Sequence, residues 1–583
     1  MKRTTRFAAT IAAASLVLAA CSSDSDEKKT EEPAGDDTQS SEAEGTDETE
    51  DESEAEGEGG ENADLTYDYN ETPYDEVSDG GTLTTAIAEI SEQANPFHQD
   101  ATAYSSDLWR WYNPQFAYFD GDGTWHFHPA YFDDVVEDEV DGNTVVTFKI
   151  KEEATYNDGT PIDWRTFEAI WKSNNGESED YAPNSTDGYS QIKSVEAGAS
   201  DKEAVVTFDG TYAWWQGLFN MGMHPAIADP EVYAEGFIQQ VHPEWGAGPY
   251  KVENIDFQKG EATFVPNEKW WGDKGKLDKR VFKQMESQAS LNAFKNGETD
   301  ATGVGSEERL TAVEDMSGIE IRKGARPFSA LMMLNSDSEH LADINVRKAV
   351  FEGVNREVVA GIVFQGIDYS ETPPGSFTLF SIQEGYEDNF SKAVQYNPAE
   401  AQKTLEEAGW TDEDGDGIRE KDGEKLTLML PVLGDSKTSK DMAAAYQSMM
   451  KAIGIDLQIE ERPTSDFSQV ITQKEFDMFG LAFSSSDPFG VAYFEQIYGS
   501  DSGLNRSGTG TEELDAKIAE MKKIADRDEQ IKAANELEVE AFKTYGIIPL
   551  YNGPDYIAVK EGLANFGAYG FAIVPVETIG WVK

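Results

Sequence analysis

"YNPAEAQKTLEEAGWTDEDGDGIREKDGEKLTLMLPVL", residues 396–433, carries both ends of a helix and the start of a strand. Asn397 can accept hydrogen bonds from the first free amides, Pro398 suits the first helical position, Glu400 the third, and Gly409 the left-handed stop. Beyond an acidic, Gly-rich turn, "KLTLMLPVL" reads as a strand. "KDMAAAYQSMMKAIG" (440–454) then reads as a helix closed by Gly454, and "IDLQIEERP" (455–463) as another strand. Strand, helix, strand is the order of a parallel or mixed sheet, since parallel neighbours need a crossover. The fold class is therefore α/β.

Working outward, "GGTLTTAIAEI" (80–90) alternates with period two after a Gly pair and reads as the first core strand. "SEQANPFHQD" is a polar loop, "YSSDLWRWYNPQF" a helix, and "YFDGDGTWHFH" two strands around a Gly-rich turn. The stretch from Asp141 to Asn174 reads as turn, strand, turn and helix, with Thr160 or Asp163 placed to cap the helix. Residues 511–545 read as two helices broken near Asp526, and "IIPLYNG" and "DYIAVK" as closing strands.

The chain has 583 residues, a formal net charge of −64, one cysteine and 6 histidines. That charge excludes the basic stripe that nucleic acid demands. The amino terminus combines the basic "MKRTTR" with an apolar run too short to span a bilayer, which reads as a signal peptide over residues 1–20. Leu18-Ala19-Ala20-Cys21 resembles the lipobox of bacterial lipoproteins, in which the cysteine is acylated and becomes the first mature residue. The alternative is a secreted protein cut near Ala20 with Cys21 left as a thiol. Residues 21–79 are rich in Asp, Glu, Ser, Thr and Gly, and read as a disordered acidic tether with a root-mean-square span of about 40 Å. The remainder is long enough for two or three domains.

"GTLTTAIAEI", "FKIKEEATYNDGTPIDW", "GAGPYKVENID", "NEKWWGDKGKLDKRVFK", "NAFKNGETDATG", "INVRKAVFEGVNRE" and the opening stretch, in that order, resemble the dipeptide and oligopeptide class (family 5) of extracellular solute-binding proteins serving ABC importers. The resemblance runs from about residue 80 to the end. It implies a two-lobed, periplasmic-binding-protein-like (class C) fold with mixed sheets flanked by helices. Lobe I would comprise residues 80–111, 213–325 and 545–583, with an inserted domain at 112–212, and lobe II residues 326–544. The ligand would sit between the lobes. The function implied is capture of short peptides by lobe closure and delivery to the permease, without cofactor or catalysis, by a monomer lipid-anchored on the extracytoplasmic face of the bacterial cell membrane.

Peptide binders of this class carry an aspartate four residues before a Pro, pairing with the ligand's amine. In "LAFSSSDPFG" that position is Ser484, and Leu481 stands where those proteins often have Trp. Either Asp487 takes over or the ligand is not gripped by a free amino terminus. The candidate ligand-binding residues are Asn95, Phe97, His98, Trp109, Trp111, Trp214, Trp215, Phe483, Ser484, Ser485, Ser486 and Asp487. The aromatics keep open an oligosaccharide or other neutral solute, since tryptophan faces pack on sugar rings.

Other chemistries have weaker support. "GSDSG" (499–503) has serine-hydrolase wording but no flanking histidine signature. His126 and His128 would share a strand face, with no third metal ligand evident. Asp412, Asp414 and Asp416 hold the first, third and fifth places of a calcium loop, but the twelfth is Gly423 where Glu is required, so an acidic turn and no metal are expected.

Overall fold

The computed structural model describes residues 67–583 except 89, 102, 435–436, 464–465, 486, 501 and 503. The expected signal peptide, Cys21 and the tether as far as residue 66 lie outside the described residues. The structural framework of the first lobe is a seven-stranded mixed sheet. Its order is Ile319–Ala325, Pro554–Lys560, Ala301–Gly303, Thr82–Ile87, Lys279–Gln284, Glu261–Pro266 and Tyr250–Asp256. Thr82–Ile87 runs parallel to both of its neighbours and buries every second residue, Leu83, Thr85 and Ile87, as its period-two pattern requires. One face of the sheet is covered by a small apolar cluster around Leu291, Phe294, Val313 and Tyr556. The other face meets the helix Ala103–Trp109 and the carboxyl-terminal segment.

The inserted segment forms a four-stranded antiparallel sheet in the order Phe132–Val140, Asn143–Ile150, Glu203–Phe208, Ile192–Ala197. The helix Trp164–Asn174 is capped by Asp163, which accepts from the Arg165 amide at 2.9 Å; of the two residues placed to cap it, Asp163 is the one used. Ala117–Phe119 and Trp125–Phe127 form the expected hairpin.

In the second lobe Phe328–Leu334 lies between Met478–Ser484 and Ile547–Tyr551. Thr427–Leu433 and Asp456–Arg462 pair in parallel, joined through the helix Lys437–Ala452. The punctuation of the opening stretch does what it promises. Asn397 Oδ1 accepts from the Glu400 amide at 3.1 Å at the start of Pro398–Glu407, while Gly409 and Gly454 both take φ of +89°. Asp526 caps Arg527–Phe542, the second of the two carboxyl-terminal helices.

The chain crosses between lobes twice, and the crossings lie side by side. Ile319–Ala325 pairs with Pro554–Lys560 in the first lobe; past Arg326–Pro327 the same chain pairs Phe328–Leu334 with Ile547–Tyr551 in the second. The return crossing is thus at Asn552–Gly553, not between residues 544 and 545 as expected, because Ile547–Tyr551 is hydrogen-bonded into the second-lobe sheet. Gly553 takes φ of +78° there, which glycine adopts without strain. Folded structure begins before residue 80, so residues 67–79 do not belong to the expected tether. Tyr69 and Val77 are buried, Asp68 bridges to Ala568, and Val77–Ser78 pairs with Gly580–Val582. These apolar side chains are what the segment before them lacks.

Candidate functional site

The strand Met478–Ser484 delivers its last residue to the hinge, since Ser484 pairs with Phe328, and it leaves Ser484 exposed. Phe483 packs edge-on against Phe377 with ring centroids 5.9 Å apart. Ser485 donates its amide to the Pro327 carbonyl at 2.9 Å and its hydroxyl to the Asp487 carbonyl at 2.6 Å, pinning the loop to the first crossing. Ser486 lies outside the described residues. Asp487 is buried and its oxygens are engaged: Oδ1 accepts from the Phe489 amide at 2.8 Å and Oδ2 from the Tyr493 hydroxyl at 2.6 Å.

Phe489 carries this loop against the opposite lobe, its ring 5.8 Å from Phe119 and 5.9 Å from Trp214. Gly123, in the hairpin turn of the first lobe, approaches Pro488 so closely that a Cβ there would lie 2.8 Å from the proline ring. Arg527 completes the junction. Its Nε donates to the Ala213 carbonyl at 2.7 Å, a second guanidinium nitrogen reaches Gln216 Oε1, and the group lies over both Trp214 and Phe489. Thr211 donates to the Lys523 carbonyl at 2.7 Å beside it.

Ser484, Ser485, Asp487 and Trp214 therefore meet at the lobe junction. The other expected residues are placed elsewhere. Trp109 is wholly buried against Tyr112, Trp111 is buried against Tyr250 and Phe282, and Trp215 is buried with its Nε1 donating to Glu137 at 2.8 Å. Asn95 is wholly buried, donating to the Tyr233 carbonyl at 3.1 Å and accepting from the Phe97 amide at 3.1 Å. Phe97 is half-buried, with its carbonyl accepting from the Tyr233 hydroxyl at 2.7 Å. His98 packs on the Tyr233 ring, and burial lowers its pKa.

Of the expected residues Trp111 alone lines a recess of about 300 Å³ in the first lobe, between the helix Ala103–Trp109 and the large sheet, whose charged walls sequence reasoning missed. Its polar walls are Asp107, Arg110, Arg280 and Tyr569. Arg280 is only 2% exposed. It donates to the Leu83 and Val281 carbonyls at 3.2 and 2.8 Å and to Thr85 Oγ1 at 2.7 Å, and its guanidinium lies 3.6 Å over the Phe282 ring. Burial pushes its pKa down to about 9. Arg110 donates to the Val574 carbonyl, and the Nε of each arginine has no hydrogen-bond partner among the described residues. Asp107 is an exposed residue by surface, yet desolvation raises its carboxyl against the opposing pull of Arg110 and Arg280. Nearer the hinge, burial pushes Asp555 up to about 6, opposed by Arg326. The available signal was Arg280 in phase with Phe282 on a strand whose inward positions are otherwise apolar.

The two metal candidates are internally satisfied. His126 pairs with Asp120 at 2.7 Å and His128 with Glu577 at 2.9 Å, so each imidazole has its own carboxylate. Asp412, Asp414 and Glu420 bring oxygens within 4.8 Å of one another, but the Lys425 ammonium lies 3.4 Å from Asp414 and 3.7 Å from Glu420 and also pairs with Asp416. A lysine thus supplies the positive charge that a calcium loop would take from the ion. In the "GSDSG" loop the Ser500 hydroxyl donates to Asp515 at 2.5 Å.

Two lobes, paired crossings and an inserted antiparallel sheet set this architecture apart from single-sheet α/β folds. Residues 126–505 match the model of the bacterial extracellular solute-binding proteins, family 5. The chain belongs to that family. Among its family 5 relatives, the oligopeptide-binding protein OppA of Mycobacterium tuberculosis is 30% identical over 525 residues, covering 89% of this chain and 88% of OppA. The oligopeptide-binding protein AppA of Bacillus subtilis is 24% identical over 456 residues, 73% of this chain and 79% of AppA. Among solved folds, the periplasmic EDTA-binding protein EppA superposes with a TM-score of 0.78 at 23% identity over 88% of this chain and 98% of its own. AppA from Bacillus subtilis in complex with a nonapeptide gives 0.69 at 20% identity, covering 87% of this chain and 100% of AppA. These relatives are named as binding proteins, and no helix among the described residues is long and apolar enough to cross a membrane.

Proposed function

We propose that this protein is the receptor of an ABC importer, capturing a short peptide between its lobes and passing it to the permease without altering it. The supporting observation is the pair of adjacent crossings at Arg326–Pro327 and Asn552–Gly553, faced by a junction that includes Arg527 and Phe489. Two strand crossings allow lobes to swing as bodies, and a junction of aromatic contacts and a few hydrogen bonds can be remade each cycle. Family membership and the oligopeptide-binding relatives support peptide as the ligand class. Ser484, Ser485 and Phe483 sit where the second lobe meets the hinge and are its proposed ligand contacts, offering hydroxyls and backbone to an extended chain. Asp487 is already engaged, so it does not replace the missing amine anchor. Trp109, Trp111 and Trp215 are buried, which favours an extended peptide over a sugar that would have to stack on their faces.

Acylation at Cys21 and the acidic segment after it would hold this receptor at the extracytoplasmic membrane surface, raising its concentration at the permease. A thermal-shift screen tests the function: di- to hexapeptides should raise the melting temperature and oligosaccharides should not. Stabilisation by sugars alone, or cleavage of a bound peptide, would refute it. Mass spectrometry of the mature amino terminus tests the anchor separately.

A further inference from the structure

The peptide reading leaves open which part of the ligand is held by charge, and the first-lobe recess bears on that. Arg280 is a nearly buried cation at the wall of the recess, set between the large sheet and aromatic rings. Among the described residues neither it nor Arg110 has a carboxylate within ion-pairing distance, and both Nε–H groups are buried without an acceptor. A fold that had only to be stable would gain from an apolar side chain at such a place, because a buried unpaired charge is costly. The recess is about 300 Å³, at the lower end of ligand-sized cavities and far beyond a single water. Its one lining carboxylate, Asp107, faces two guanidiniums, so positive charge is in excess. The Tyr569 phenol, raised to about 12 by burial, remains a proton donor at any physiological pH, and its present acceptor, the Asn565 carbonyl, is a distant 3.4 Å away.

We propose that this recess receives a carboxylate of the ligand, bound by Arg110 and Arg280 with Tyr569 donating to it, and that ligands are therefore selected by an acidic end or side chain. Guanidinium and carboxylate match as planar, charge-assisted partners. This rests on the peptide reading for the ligand's identity, but the chemistry recognised is the carboxylate, whether of a peptide or of a small polycarboxylate.

The test compares an equimolar tetrapeptide library bearing free carboxyl termini with the same library amidated, alongside citrate and EDTA, by thermal shift and calorimetry. The expected result is stabilisation by the free-acid library, with amidated peptides bound roughly 10- to 100-fold more weakly, the size of one lost charge-assisted interaction. The half-buried Arg110→Gln variant, shown to be folded by circular dichroism, should abolish the preference while binding the amidated library as before. If neither library binds but citrate or EDTA does, and Arg110→Gln loses it, the carboxylate site stands and the peptide reading falls. Equal binding of acid and amide libraries, an undiminished preference in folded Arg110→Gln, or no response to any of these probes would overturn the proposal.

Discussion

Replacing Arg527 with Ala should loosen the closed form while leaving each lobe folded. Arg527 is the first residue of the helix Arg527–Phe542 and spans the junction, donating to the Ala213 carbonyl at 2.7 Å and to Gln216 while covering Trp214 and Phe489. Two charge-assisted bonds are worth about 1.5–3 kcal/mol each before their open-state hydration is counted. With guanidinium and acceptors rehydrated on opening, the net loss is about 2 kcal/mol, or roughly 30-fold in the closed-to-open ratio. A ligand that binds the closed form should weaken by up to that factor. The local helix should not suffer, because a cation at a helix amino terminus opposes the dipole by about 0.3–1 kcal/mol. The signature is therefore weaker capture at a nearly unchanged melting temperature. Calorimetry with a stabilising peptide measures the first, and small-angle scattering of the unliganded protein should show a larger radius of gyration. Unchanged affinity together with unchanged scattering, in a folded variant, would refute the assignment of Arg527 as the latch.

Other changes probe the hinge and the loop. Asp555 holds its proton to about pH 6 in the folded protein whereas the unfolded chain releases it near 3.8, so the native state binds the extra proton between those values. Its contribution to stability falls as pH rises through that window, and Asp555→Asn should flatten this part of the profile in urea titrations at pH 4.5 and 7; an unaltered slope would exclude Asp555 as its source. Glu371 accepts the Asn552 and Gly553 amides at 2.6 and 3.1 Å and the Tyr369 hydroxyl at 2.6 Å, fixing the return crossing. Glu371→Gln leaves one donor poorly matched and should cost about 1–2 kcal/mol in chemical denaturation; no shift in midpoint would show that the crossing holds without it. Ser484→Asp should strengthen capture of peptides with a free amine by about tenfold, relative to their N-acetylated forms, if that side chain faces the ligand's amino end. Equal gains for both peptide forms, or none, would remove Ser484 from the contacts.

The sequence by itself determined the local conformations and, through their order, the class of fold. Asn397, Gly409, Gly454 and Asp526 act on the few residues beside them, so the ends of these elements are legible in the local sequence. The period-two pattern marks the strand at Thr82–Ile87, and the strand-helix-strand order around Lys437–Ala452 requires a crossover and so a parallel pair. Only the tertiary structure decided which chemical groups face the space between those elements. Tryptophan suits a core as well as a binding wall, and pairing across sheets, not residue type, sent Trp109 and Trp111 inward. The recess joins Asp107 and Arg110 to Arg280 and Tyr569 from three separated stretches of chain, brought together by the pairing of Thr82–Ile87 with Lys279–Gln284 and the return of the carboxyl terminus. A charge's partners and hydration depend on neighbours that are remote in sequence, and chain-local signals carry no record of them.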